Sequence, residues 1–123
     1  MSQQIKTLFL FFIISSFSIA SFGQQPVKTY SKEWKQAEEY AKKNLPKSAL
    51  AEVKKIYTLA KKDGQDAQTI KALVYMTGLQ SKTREDNEVL SIKEVEKEIT
   101  TSKEPATSIL KSLLAEMYWN YLQ

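Results

Sequence analysis

The sequence predicts an all-α protein, because apolar residues recur at helical spacing in five segments, proline and glycine punctuate those segments, and no stretch alternates apolar and polar residues as a strand would. Residues 45–62 carry the plainest signal. Ala49, Leu50, Val53, Ile56, Tyr57 and Ala60 paint one stripe on a 3.6-residue helix, and Lys, Glu, Ser and Thr fill the rest. Pro46 suits the first turn, where its missing N–H costs nothing, and Gly64 supplies a left-handed residue to end the helix after Asp63.

The remaining helices follow in order. Ser31 is expected to cap a first helix over 32–44, with Trp34, Ala37, Tyr40 and Ala41 facing inward, and Pro46 stops it with almost no linker, which favours antiparallel packing on the next helix. A third helix over 66–82 is apolar on two sides, with Ile70, Leu73, Val74 and Thr77 on one and Ala72, Met76 and Leu79 on the other, so it is expected to lie deepest. Gly78 within it implies a close helix contact. The polar run 81–87 is a loop, and Asp86 or Asn87 caps a fourth helix ending near Ser102. Its stripe of Val89, Ile92, Val95 and Ile99 is narrow, and Lys93, Glu94, Glu96, Lys97 and Glu98 surround it as a solvated face. Pro105 opens a fifth helix over 105–122, the most apolar after the leader.

The first four helices are expected to pair as two hairpins, in units of about 34 residues that resemble the layout of tetratricopeptide-type α-solenoids. Trp34 stands where that repeat opens with Trp, although no second copy of the signature follows. The fifth helix is left without a following partner. Its bare stripe predicts a docking surface at Leu113, Met117, Trp119 and Tyr121, with Tyr118 and Tyr121 also contributing to core packing.

Composition removes whole classes of function. The 123 residues contain no His and no Cys, which excludes a histidine base, a thiol nucleophile, the usual zinc and iron–sulfur ligand sets, and disulfides. The formal charge of +4 is spread over Lys residues that alternate with Glu rather than clustering, the pattern of a solvated surface and not of a nucleic-acid interface. Residues 1–23 read as a signal peptide: Lys6 provides the positive region, residues 8–14 the apolar run, and Ser21-Phe22-Gly23 a small-x-small cleavage site. The exported chain then starts at Gln24, with an extended lead over 24–30 and a helical domain over 31–123. It is expected to be soluble in the periplasm or outside the cell, with no membrane attachment after cleavage.

Three patterns invite chemistry and fall short of it. Ser108-Ile109-Leu110-Lys111 fits the Ser-x-x-Lys pattern of penicillin-recognising enzymes, but the companion Ser-Asp-Asn and Lys-Thr-Gly elements are missing. Asp63-Gly64-Gln65-Asp66 lacks the further oxygen ligands and the closing Glu of a calcium loop. Glu94, Glu96 and Glu98 are balanced by Lys93 and Lys97. No cofactor, metal site or catalytic residue is therefore expected.

Taken in order, Leu45-Pro46-Lys47-Ser48-Ala49-Leu50, Lys55-Ile56-Tyr57, Ile70-Lys71-Ala72-Leu73, Pro105-Ala106 with Ile109-Leu110, and Leu114-Ala115-Glu116 with Tyr118-Trp119 and Tyr121 resemble the N-terminal helical region of secreted bacterial alpha-2-macroglobulin family proteins. Members of that family are protease traps that act through a bait segment and, in many, a Cys-Gly-Glu-Gln thioester. The resemblance implies an endopeptidase-inhibitor parent of which this chain is a fragment, and it assigns no inhibitory residue here. Two functions follow as expectations: a non-catalytic scaffold module of such an inhibitor, or a free-standing exported helical adaptor that binds a protein or peptide. In either, the partner is protein, whether the continuing chain, another protein or a second copy.

Overall fold

The computed structural model describes residues 26–123, so the expected signal peptide lies outside the described residues. These fold as five helices with no strand among them: α1 Ser31–Lys42, α2 Pro46–Lys62, α3 Asp66–Gln80, α4 Asn87–Thr101 and α5 Ala106–Tyr121. The expected boundaries hold to within two residues. The expected side-chain N-cap bonds do not form. Tyr30 and Asp86 occupy the N-cap positions of α1 and α4 with φ of 50° at each, and neither places a side chain on the helix N–H groups. Ser31 lies one residue too late to cap, and its hydroxyl meets Thr29 Oγ1 at 2.8 Å.

Two identical turns build the first three helices into one layer. At the end of α1, Asn44 is left-handed with φ 55°, its N–H bonds Ala41 O at 3.1 Å, and the Leu45 N–H bonds Tyr40 O at 2.9 Å. At the end of α2, Gly64 is left-handed with φ 65°, its N–H bonds Lys61 O at 3.3 Å, and the Gln65 N–H bonds Ala60 O at 2.8 Å. Both are Schellman closures, which satisfy the orphan carbonyls and reverse the chain within three residues. α2 is therefore held against both α1 and α3, and the stripe expected of it is buried: Ala49, Val53, Ile56 and Ala60 are wholly inaccessible. Val53 and Ile56 meet Trp34, Ala37, Ala72 and Met76 in the larger core cluster, where burying them contributes roughly 1.5 to 3 kcal/mol each. Tyr40 is only half-buried and Ala41 is exposed, so α1 turns a narrower face inward than expected.

The connection from α3 to α4 lacks such a turn and runs through residues 81–86. Here the expected pairing of α3 with α4 is corrected: α3 lies along α2 and touches α4 and α5 at only a few points, while α4 and α5 pack on each other. The helix expected to be unpaired has its neighbour behind it in sequence. α3 packs along α2 and meets both α4 and α5, but it is not the deepest helix: Val74, expected on an inner side, is 43% exposed. A second, smaller cluster of Leu73, Val95 and Leu110 joins the two groups, with Ile70, Ile99, Leu113, Leu114 and Met117 around it. Gly78 makes no close helix contact. It is exposed, and a Cβ there would have nothing within 4 Å.

Candidate docking surface and the polar seam

The seam between the two helix groups is held by carboxylates that the sequence placed in solvent. Ser91 and Glu98 fall on the same face of α4 as Ile92 and Val95, so packing that face carries them inside. Glu98 is 5% exposed and accepts hydrogen bonds from Tyr57 Oη and from Lys61 Nζ, the latter at 2.9 Å. Burial and the Glu98 carboxylate together push the Tyr57 hydroxyl well above the usual phenol range, so Tyr57 remains a donor. Glu94 takes Arg84 Nη1 at 2.9 Å, and Arg84 Nη2 reaches Asn87 Oδ1 at 3.1 Å and Ser91 Oγ at 3.3 Å. Glu96 accepts the Tyr118 hydroxyl at 2.5 Å, which raises the pKa of that phenol. The three carboxylates therefore tie α4 to α2, to the 81–86 loop and to α5. A Glu or Gln at helical spacing from buried aliphatics was the available signal, and Glu52 beside Val53 and Gln80 beside Met76 repeat it.

The lead is likewise fastened. Asp63 accepts Lys28 Nζ at 2.9 Å and the Tyr30 hydroxyl at 2.8 Å, while Gln65 bonds the Lys28 N–H at 3.3 Å and Pro26 O at 3.2 Å. The bonds from Lys28 and then Tyr30 lower the Asp63 pKa, and desolvation followed by the Asp63 bond pushes Tyr30 up to about 12. The Asp63 to Asp66 run thus serves as a helix stop and an anchor for the lead. Trp34 Nε1 donates to Gln68 Oε1 at 2.8 Å, and Lys71 Nζ sits 4.1 Å from the Trp34 ring centroid. Ser108 bonds Glu104 through both N–H, at 3.2 Å, and Oγ, at 2.7 Å, so the Ser-x-x-Lys serine takes part in fastening the start of α5.

The four candidate docking residues divide into two pairs. Leu113 and Met117 are half-buried against the Leu73, Val95 and Leu110 cluster. Trp119 is 67% exposed and Tyr121 49%, and Ile109 and Leu122, absent from the expected surface, are bare as well. The core role expected of Tyr118 and Tyr121 is corrected, because only Ala106 and Leu110 of α5 are fully buried. Met117, Asn120 and Tyr121 of α5 face Gly78 and Glu88 across a cleft of about 270 Å³. In the larger depression, about 670 Å³ between the α1–α2 turn and the 81–86 loop, two of the lining hydroxyls are already engaged: Ser81 Oγ donates to Gly78 O at 2.7 Å and Thr83 Oγ1 to Leu79 O at 3.3 Å.

Charge is also less evenly mixed than the sequence suggested. Lys47, Ala51, Lys54, Lys55, Thr58, Leu59 and Lys62 share the exposed outer face of α2, a stripe about 22 Å long with no carboxylate on it. Among the described residues no helix is long and apolar enough to cross a membrane. No family model, curated protein or solved structure matches this chain.

Proposed function

We propose that this chain is a non-catalytic helical scaffold and protein-docking module, built as a stack of antiparallel hairpins and exported by its N-terminal leader. One observation carries the reading. The polar clusters described above are spent on fastening helices to one another, whereas Trp119, Tyr121 and Leu122 at the end of α5 are left uncovered. A bare aromatic and aliphatic patch of this kind is the usual mark of a protein contact. An origin as the helical module of an alpha-2-macroglobulin-type endopeptidase inhibitor rests on the ordered sequence strings; a free-standing exported adaptor would use the same surface.

Acrylamide quenching tests the docking surface, because the two tryptophans occupy opposite environments: Trp34 is 5% exposed and Trp119 67%. The expected result is one protected and one fully accessible population, with the accessible one lost in Trp119→Phe. Equal protection of both tryptophans would mean that α5 is closed over and would overturn the proposal.

A further inference from the structure

Two bare surfaces of this molecule complement each other. The outer face of α2 carries four lysines around a floor of Ala51, Thr58 and Leu59; among the described residues only Lys55 is paired on that face, with Glu52 of its own helix at 2.7 Å. The end of α5 presents Trp119, Tyr121 and Leu122, with Glu116 one turn before Trp119 and Glu88 across the cleft from Tyr121. The charge follows the same division. Residues 26–63 hold ten lysines against five carboxylates, and residues 81–123 hold six cationic side chains against eight carboxylates.

Resting on the docking reading above, we propose that copies of this chain associate head to tail, the α5 end of one seated on the α2 stripe of the next. Lysine ammonium groups from Lys54 and Lys62 then lie beside Glu116, Glu88 and the faces of Trp119 and Tyr121, where ion pairing and cation–π attraction act together. Leu122 and the indole fill the small-residue floor at Ala51 and Thr58. The two surfaces are different patches on one chain, so the contact is heterologous, and each added copy presents both surfaces again. Growth therefore continues past the dimer unless the rotation happens to close a ring.

Sedimentation equilibrium on the chain from Gln24 onward, which contains every described residue, tests this. At about 50 mM salt the average mass is expected to climb past two chains as concentration rises, and at about 500 mM to fall back toward one. Lys54→Glu with Lys62→Glu in one chain, and Glu88→Lys with Glu116→Lys in another, each leave a folded monomer, since all four positions are exposed. Mixing the two restores association, because each reversed surface then faces its complement. Association that survives both reversals, or a mixture that stays monomeric, overturns the head-to-tail contact. A monomer at every concentration with Trp119 open to quencher also overturns it while leaving the docking surface for a different protein, and a monomer with Trp119 protected removes both readings.

Discussion

The three helices α1 to α3 and the pair α4 and α5 are built from similar side chains and bury them very differently. Ala49, Val53, Ile56, Ala60 and Ala72 of the first group are wholly inaccessible, while α5, richer in Leu, Ile, Met and aromatics than any of them, fully buries only Ala106 and Leu110. The difference originates in the connections. Schellman turns at Asn44 and Gly64 reverse the chain within three residues and lay each helix along the last, so every apolar stripe finds a partner. The six-residue loop before α4 imposes no such geometry, and its place is taken by Arg84 with Glu94 and by Glu98 with Tyr57 and Lys61. Apolar content predicts burial only where a turn brings a partner.

That contrast can be broken most sharply by placing the same charge in each group. Ile56→Asp strands a carboxylate at a position with no accessible surface and is expected to cost several kcal/mol, comparable to the whole stability of a small domain. Leu122→Asp, at a position 78% exposed, is expected to change stability by less than about 0.5 kcal/mol. Thermal melts followed by circular dichroism measure both. A cooperative melt retained in Ile56→Asp would mean that the buried face of α2 is misassigned.

Next in size is the seam. Glu98→Ala removes the acceptor of Tyr57, which is itself half-buried, and leaves that hydroxyl without its partner; a cost of about 1 kcal/mol is expected. Because α3 touches α4 and α5 at few points, amide exchange is expected to accelerate in α4 and α5 well before α1 to α3. Uniform acceleration through all five helices would show that the two groups unfold as one.

Much of this was legible in the sequence, and the parts that were not share a cause. Helix positions followed from the apolar period, and the stops at Pro46 and at Asp63-Gly64 from local backbone preference, because both depend on neighbours in the chain; the left-handed turn at Asn44 was read as helix. Glu94, Glu98 and Gly78 were misread. Whether a carboxylate is solvated or paired, and whether a glycine is crowded or open, depends on residues distant in the chain: Tyr57 is forty-one positions from Glu98. The exposed end of α5 was anticipated from the breadth of its apolar stripe, yet Leu113 and Met117 turn toward Leu73 and Val95 rather than outward.

Gly78 supplies a smaller test in the opposite direction. It lies inside α3, exposed, with helical backbone and open space where a Cβ would go, so the entropy of glycine in the unfolded chain is not offset by any contact. Gly78→Ala is expected to stabilise the protein by roughly 0.5 to 1 kcal/mol. A loss of stability in urea unfolding would mean that a helix does approach there, as the sequence alone implied.

The smallest effect is confined to the lead, and it asks whether residues 26–30 belong to the first helix group or merely lie against it. Their attachment turns on Asp63, whose pKa is lowered by Lys28 and Tyr30, and on Tyr30, whose pKa is pushed up to about 12. A lowered carboxylate pKa means the charged form is favoured on attachment, so that contribution is present above the usual carboxylate range and fades as pH falls through the depressed value. A raised phenol pKa means the protonated form is favoured, so its contribution is whole below the ordinary value of 10.0 and is lost as pH climbs toward about 12. The lead is therefore expected to stay fastened across the neutral range and to loosen at both extremes, with heteronuclear NOE values at Lys28 and Thr29 falling while those of α1 to α3 hold. Asp63→Asn should remove the acid limb of that response, because an amide keeps a hydrogen bond from Tyr30 but has no charge to lose. Wild-type values retained at pH 7 in Asp63→Ala would show that Gln65 and the backbone hold the lead without Asp63.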